Sequence, residues 1–169
     1  MKKVILYIAQ SLDGYIATKD SSVAWLDNYF SEEFETNKFI EKMDTVIQGN
    51  TTYKQFKSKY PDKNCYVFSK DADTHSEEGV TFVKGSVTNF IESLDDSKHH
   101  NIWLVGGSNL ITQFLNEDQI DEMRIFMIPI LLKDGIPLFQ NLEVSPKLTL
   151  QDTKSYSNGT VELQYVVDK

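Results

Sequence analysis

Apolar residues in this chain come in short runs, and most runs end at a glycine, a hydroxyl-bearing residue or a charged one. Val4–Ala9 is apolar throughout and predicts a buried first strand, followed by a long loop, "SLDGYIATKDSSVAWLDN". Glu32–Met43 has helical spacing, with Ser31 placed to cap it and Glu32 and Glu33 suited to its first turn. Thr45–Gln48 predicts a short strand that stops at Gly49, and "TTYKQFK" opens a helix. Asn64–Phe68 and Val80–Val83 predict further strands, and Val87–Leu94 a helix behind Ser86. Ile102–Val105 reads as a buried strand, and after Gly106-Gly107 the residues Leu110, Ile111, Phe114 and Leu115 share one helical face. "MRIFMIPIL" is a strand interrupted by Pro129, which suits an edge or a bend. Lys147–Ser155 and Thr160–Val167 flank Asn158-Gly159, a strong hairpin signal.

Strands alternating with helices and closing in a hairpin predict an α/β fold. Its sheet is mostly parallel, covered by helices on both faces, with a C-terminal antiparallel hairpin. The 169 residues are expected to form one domain, 1–169, with no repeat or linker.

Composition narrows the partners. Seventeen basic and twenty-five acidic residues give a net charge of −8, the basic residues are scattered, and Arg124 is the only arginine. A nucleic-acid backbone needs a dense positive surface, so that partner is excluded, and any bound phosphate must be held locally by amides, hydroxyls and a lysine or two. No apolar run approaches membrane-spanning length, and "MKKVILYIAQ" lacks the pattern of a signal peptide. Cys65 is the only cysteine, which excludes an internal disulfide, suits a buried structural thiol and implies a cytoplasmic setting.

Two seams join a strand to a helix through glycine: Gly49 before Asn50, Thr51 and Thr52, and Gly106-Gly107 before Ser108 and Asn109. In a parallel sheet both fall at carboxyl ends of strands, where open α/β sheets bind ligands and a helix start offers unpaired amides. From spacing alone, each seam is either a phosphate cradle or a tight turn without a ligand. The fingerprint G-x-G-x-x-G is absent. Ser69-Lys70 ends a third strand and could meet an adenosine 2′-phosphate.

The set "IAQSLDGYIA", "VIQGNTTYKQF", "VFSK", "IWLVGGSNLITQFL" and "DEMRIFMIPILLKDGIPLF" resembles the dihydrofolate-reductase-like superfamily, in the right order over nearly the whole chain. The branch it is most similar to is the reductase domain of the bacterial riboflavin-biosynthesis bifunctional deaminase/reductase. The resemblance implies a three-layer fold on an eight-stranded sheet, NADPH as hydride donor and a homodimer. It places Ala9, Ile16 and Ala17 near the nicotinamide, and Asn50, Thr51 and Thr52 behind Gly49 at one set of phosphates. Gly106, Gly107, Ser108 and Asn109 go to the other set, with Ser69 and Lys70 at the adenosine end. Relatives typically carry arginine where this chain has Asn50.

For chemistry, a carboxyl group with a raised pKa can orient or protonate a heterocycle. Dihydrofolate reductases place one on the first helix, where this chain offers Glu32, Glu33 and Glu35, with Glu33 the candidate adopted; each also suits the helix dipole. Asp13 is the second catalytic candidate and equally a turn residue. Trp25 either walls the substrate pocket or fills the core. His75, His99 and His100 lie in polar segments expected to be exposed, none has metal-ligand spacing, and no metal is expected. The zinc deaminase signature is missing, so at most the reductase half is present.

Three functions fit. One is NADPH-dependent reduction of a small heterocyclic or carbonyl substrate, such as 5-amino-6-(5-phosphoribosylamino)uracil. The others are reduction of dihydrofolate and nucleotide binding or sensing without turnover.

Overall fold

The computed structural model describes residues 2–57, 60–71 and 77–169. His75 lies outside the described residues. Among the described residues, ten strands and four α-helices run in the order β1 (Lys3–Ser11), β2 (Tyr15–Ala17), α1 (Thr36–Glu41), β3 (Thr45–Gly49), α2 (Asn50–Phe56), β4 (Asn64–Phe68), β5 (Thr81–Val83), α3 (Val87–Ser93), β6 (Asn101–Gly106), α4 (Ser108–Asn116), β7 (Glu122–Ile128), β8 (Ile136–Pro137), β9 (Leu148–Ser155) and β10 (Val161–Val167). Eight strands form one sheet in the order β5-β4-β3-β6-β1-β7-β10-β9. Pairing is parallel from β5 through β7 and antiparallel from β7 through β10 to β9. The expected α/β fold, mostly parallel sheet and C-terminal hairpin are all present.

The unbroken apolar run of β1 follows from burial on both faces. Val4 and Leu6 pack toward α3 and α4, meeting the stripe Leu110, Ile111 and Phe114. Ile5 and Tyr7 pack the other way, into a cluster with Phe34, Phe39, Trp103 and Phe126. No helix among the described residues is long and apolar enough to cross a membrane.

The structure corrects four local expectations. Glu32–Met43 is not one helix: a single 3₁₀ turn, Glu32–Phe34, stops at Glu35 in the left-handed region (φ 51°) and α1 starts afresh at Thr36. On a continuous helix Phe34 and Phe39 would point roughly 140° apart. The break lets Phe34 reach Phe126 at 5.1 Å between ring centroids and Phe39 stack on Tyr7 at 4.2 Å. Ser31 does cap the turn, accepting from the Glu33 amide at 3.2 Å. Of the two expectations for Pro129 the edge fails, since β7 lies between β1 and β10, and the bend stands: β7 stops at Ile128 and the Ile130 amide donates to the Ile128 carbonyl at 2.8 Å. His99 is buried, with Nδ1 2.7 Å from the Thr45 hydroxyl, and burial lowers its pKa. A separate two-stranded ribbon, β2 with β8, has no counterpart in the apolar pattern. It requires Gly135, because a Cβ there would lie 2.2 Å from the Ala17 carbonyl oxygen.

Candidate functional site

The strand ends that carry the glycine seams sit side by side, because β3 pairs with both β4 and β6. The seams touch: a Cβ on Gly49 would lie 3.6 Å from the Gly106 carbonyl oxygen, and one on Gly107 would lie 3.4 Å from the Thr52 hydroxyl. Gly106 has φ +111°, and a Cβ there would press on Ile111 at 3.1 Å. The main chain therefore turns into α4 where a side chain does not fit.

A cleft of about 830 Å³ opens over these ends, within the size range of small-molecule and cofactor pockets. Its wall includes Ala9, Ile16, Ala17, Gly49, Asn50, Thr51, Thr52, Ser69, Lys70, Gly107, Ser108 and Asn109. Segments far apart in sequence, selected as cofactor candidates, thus converge on one cavity. Gly106 lies just behind the wall, beside Ile8 and Ile111. The β2–β8 ribbon delivers Ile16, Ala17 and Ile136 to the cleft.

Hydrogen bonds decide which polar groups stay open to a ligand. Asn50 donates its side-chain amide to the Ser69 hydroxyl at 3.1 Å, and the Asp71 amide donates to the same oxygen at 3.2 Å. With both lone pairs of that oxygen used, the hydroxyl proton of Ser69 is what the group has left to give. Ser108 is buried and donates to the Leu138 carbonyl at 3.2 Å, and Asn109 accepts from Gln140. Those two side chains brace the seam. The first helical bonds of α4 come from the Leu110 and Ile111 amides to the Gly107 carbonyl, so the amides of Ser108 and Asn109 lead the helix.

Three candidates stand off the wall. Asp13 clamps a turn, accepting from Ser11 at 2.6 Å and from the amides of Leu132 and Lys133 at 3.1 and 2.8 Å. The Ser11 hydroxyl, joined by those amides, lowers its pKa. Glu33 accepts from the Ser157 hydroxyl and amide at the turn before β10, and the Ser157 hydroxyl lowers its pKa. Neither carboxylate keeps a proton to donate near neutrality. Trp25 packs against the aromatic cluster on the α1 face, with its ring nitrogen buried and unpartnered.

The neighbours of Trp25 do line the cleft: Ser21, Val23, Leu26, Asp27 and Phe30, joined by Gln55 and Phe56 from the end of α2. Lys84 and Gly85, after β5, line it too. These two were within reach of the strand-end rule that selected Ser69-Lys70. The loop residues carried no periodic signal.

The chain matches the RibD C-terminal domain over residues 2–162. It is 42% identical to the Bacillus subtilis uncharacterized protein YwjB, covering 98% of each chain. Among solved structures, a Shewanella sp. PV-4 protein named for riboflavin biosynthesis is 31% identical over the full length of both chains, with a TM-score of 0.84. A dihydrofolate reductase from Enterococcus faecalis, complexed with NADP(H), shares the fold at 16% identity, covering 99% of this chain and 97% of its own, with a TM-score of 0.69. With the fold, the cleft and the matched length in agreement, the chain belongs to the RibD C-terminal domain family, a reductase-like family built on the dihydrofolate-reductase-like fold.

Proposed function

We propose that this protein is an NADPH-dependent reductase of a small heterocyclic or carbonyl substrate. The observation that carries the reading is the convergence of Gly49–Thr52, Ser69-Lys70 and Gly107–Asn109 on one cleft. Bound there, NADPH supplies a hydride. The chain's own residues do the rest. The leading amides of α4 and the hydroxyls of Thr51 and Thr52 hold pyrophosphate. The Ser69 proton and the Lys70 ammonium, joined by Lys84, meet the 2′-phosphate. Ala9, Ile16 and Ala17 give the nicotinamide a small apolar seat and keep water from the reacting face.

The resemblance also implies a homodimer. In support, β9 is exposed along its whole length and shows Leu148 and Leu150 to solvent.

Calorimetric titration of the purified protein with NADPH and, separately, NADH tests the reading. Saturable binding that favours NADPH is expected. Failure to bind either would return both seams to structural turns.

A further inference from the structure

We infer that Asp13 is a positioning residue for the nicotinamide half of the cofactor, acting through the β2–β8 ribbon; this rests on the reductase reading above. The ribbon stands apart from the eight-stranded sheet. β2 has three residues and β8 two, with Tyr15 opposite Pro137 and Ala17 opposite Ile136. Two strands of that length do not hold together alone in water. Yet they carry Ile16, Ala17 and Ile136 to the cleft, so contacts outside the ribbon have to fix it.

Asp13 joins the approaches to both strands. Its Oδ1 accepts from the Ser11 hydroxyl at 2.6 Å and the Leu132 amide at 3.1 Å, and its Oδ2 from the Lys133 amide at 2.8 Å. Leu132 and Lys133 belong to the loop that enters β8. The Ser11 hydroxyl is buried and accepts in turn from the amide of Tyr15, the first residue of β2, at 2.9 Å. One carboxylate and one hydroxyl thus lock the entry of β2 to the entry of β8. Beyond β8, Ser108 and Thr112 of α4 donate to the carbonyls of Leu138 and Gln140 at 3.2 and 2.8 Å. The ribbon is therefore held between α4, the helix assigned to the phosphates, and the Asp13 clamp.

Competing contacts at the clamp are weak. Leu12 and Leu131, which flank it, are 58% and 67% exposed, so apolar burial adds little there. Lys19 pairs with Asp134 on the same loop at 2.8 Å, but both side chains are largely in solvent, where an ion pair contributes little. The hydrogen bonds to Asp13 decide where the loop stands. Ser69, Lys70 and the Gly49 seam lie on other elements, so loosening the clamp frees the nicotinamide seat and leaves the adenosine end in place.

Calorimetric titration of the full chain with two probes tests this: NADPH, and adenosine 2′,5′-bisphosphate, which lacks the nicotinamide half. The parent should bind NADPH more tightly than the bisphosphate. Asp13→Asn keeps the shape but sets an NH2 group, which accepts nothing, against a backbone amide in either orientation. Its NADPH affinity should fall about fivefold, a charge-assisted hydrogen bond discounted for exposure. Its affinity for the bisphosphate should equal that of the parent. Ser11→Ala unlinks the carboxylate from the Tyr15 amide; it should show the same split, and it decides the matter if Asp13→Asn does not fold. Equal losses for the two probes, or no loss for NADPH, would overturn the inference, as would a parent that binds both probes equally well. A parent that binds neither would instead overturn the reductase reading.

Discussion

Asn50 and Ser69, nineteen positions apart, are joined by a 3.1 Å hydrogen bond that links the first glycine seam to the loop after β4. That bond, with the Asp71 amide on the same oxygen, leaves the Ser69 proton as what the hydroxyl can still donate. Ser69→Ala should therefore weaken NADPH binding by about tenfold, the value of one hydrogen bond to a charged group. NADH binding should change little. Equal losses for the two cofactors would remove Ser69 from the 2′-phosphate.

Lys70 is exposed on the same loop. Lys70→Ala should lower NADPH affinity by about tenfold at low salt, and raising the salt should shrink the difference between variant and parent because the ion pair is screened. Titrations at two ionic strengths check this. A salt-independent loss would point to a rearranged loop instead of a missing charge.

Gly135 marks where the ribbon β2–β8 closes. Gly135→Ala sets a methyl group 2.2 Å from the Ala17 carbonyl oxygen, in backbone that cannot swing aside. Stability should fall by about 1–3 kcal/mol, and cofactor affinity should fall with it because Ile16 and Ala17 move. An unchanged denaturant midpoint would show that the ribbon relaxes freely.

Glu162 is 1% exposed and accepts from Arg124, Gln164 and the Tyr156 hydroxyl, the last at 2.5 Å. Glu162→Ala leaves buried donors unmatched and should cost about 3 kcal/mol, while the protein that remains folded binds NADPH as before. Denaturation by urea, followed by titration in the absence of denaturant, separates the two effects.

Burial raises the pKa of Tyr53 to about 12, helped by the Glu77 carboxylate, and burial with the Glu162 carboxylate raises that of Tyr156 further. An unfolded tyrosine ionises near about pH 10. The fold therefore favours the neutral phenols. Their contribution is complete below about pH 10 and is lost as pH rises through the folded values. His99 works at the other end: its lowered pKa favours the neutral ring, so stability is lost as pH falls below about 6.5. Midpoints of denaturation at pH 5, 8 and 11, followed with tyrosine absorbance, should be highest at pH 8. A midpoint at pH 11 equal to that at pH 8 would contradict the tyrosine argument.

Strands and the α4 helix were legible in the sequence because burial on both sheet faces leaves unbroken apolar runs, and a helix packed on one side leaves a stripe. Gly49 and Gly106-Gly107 were legible because a strand-to-helix turn at a carboxyl end has few alternatives in composition. The break at Glu35 was not, since its cause is the distant ring of Phe126 and not a local breaker such as proline. Asp27, Phe30 and Phe56 were missed for a related reason. Their neighbourhood arises when the long loop folds back on α2, a contact held by Gln55 and the Ser21 carbonyl. Arg124 could lie on either face by alternation alone; Glu162, thirty-eight positions later, settles which.

The central position of β1 has a consequence for biosynthesis. Its partners are β6 and β7, in registers such as Leu6 with Leu104 and Ile5 with Glu122. At roughly 5–20 residues per second, the intervening stretch of about a hundred residues takes on the order of 5–20 s to translate. Throughout that interval the nine-residue β1, with its apolar run Val4–Ala9, has been made and neither neighbour exists. A nascent chain of this topology presents two bare strand edges to solvent or to a holdase before it can bury either. Synthesis rate and chaperone supply, more than the stability of the finished sheet, should then set how much of this protein reaches its folded form.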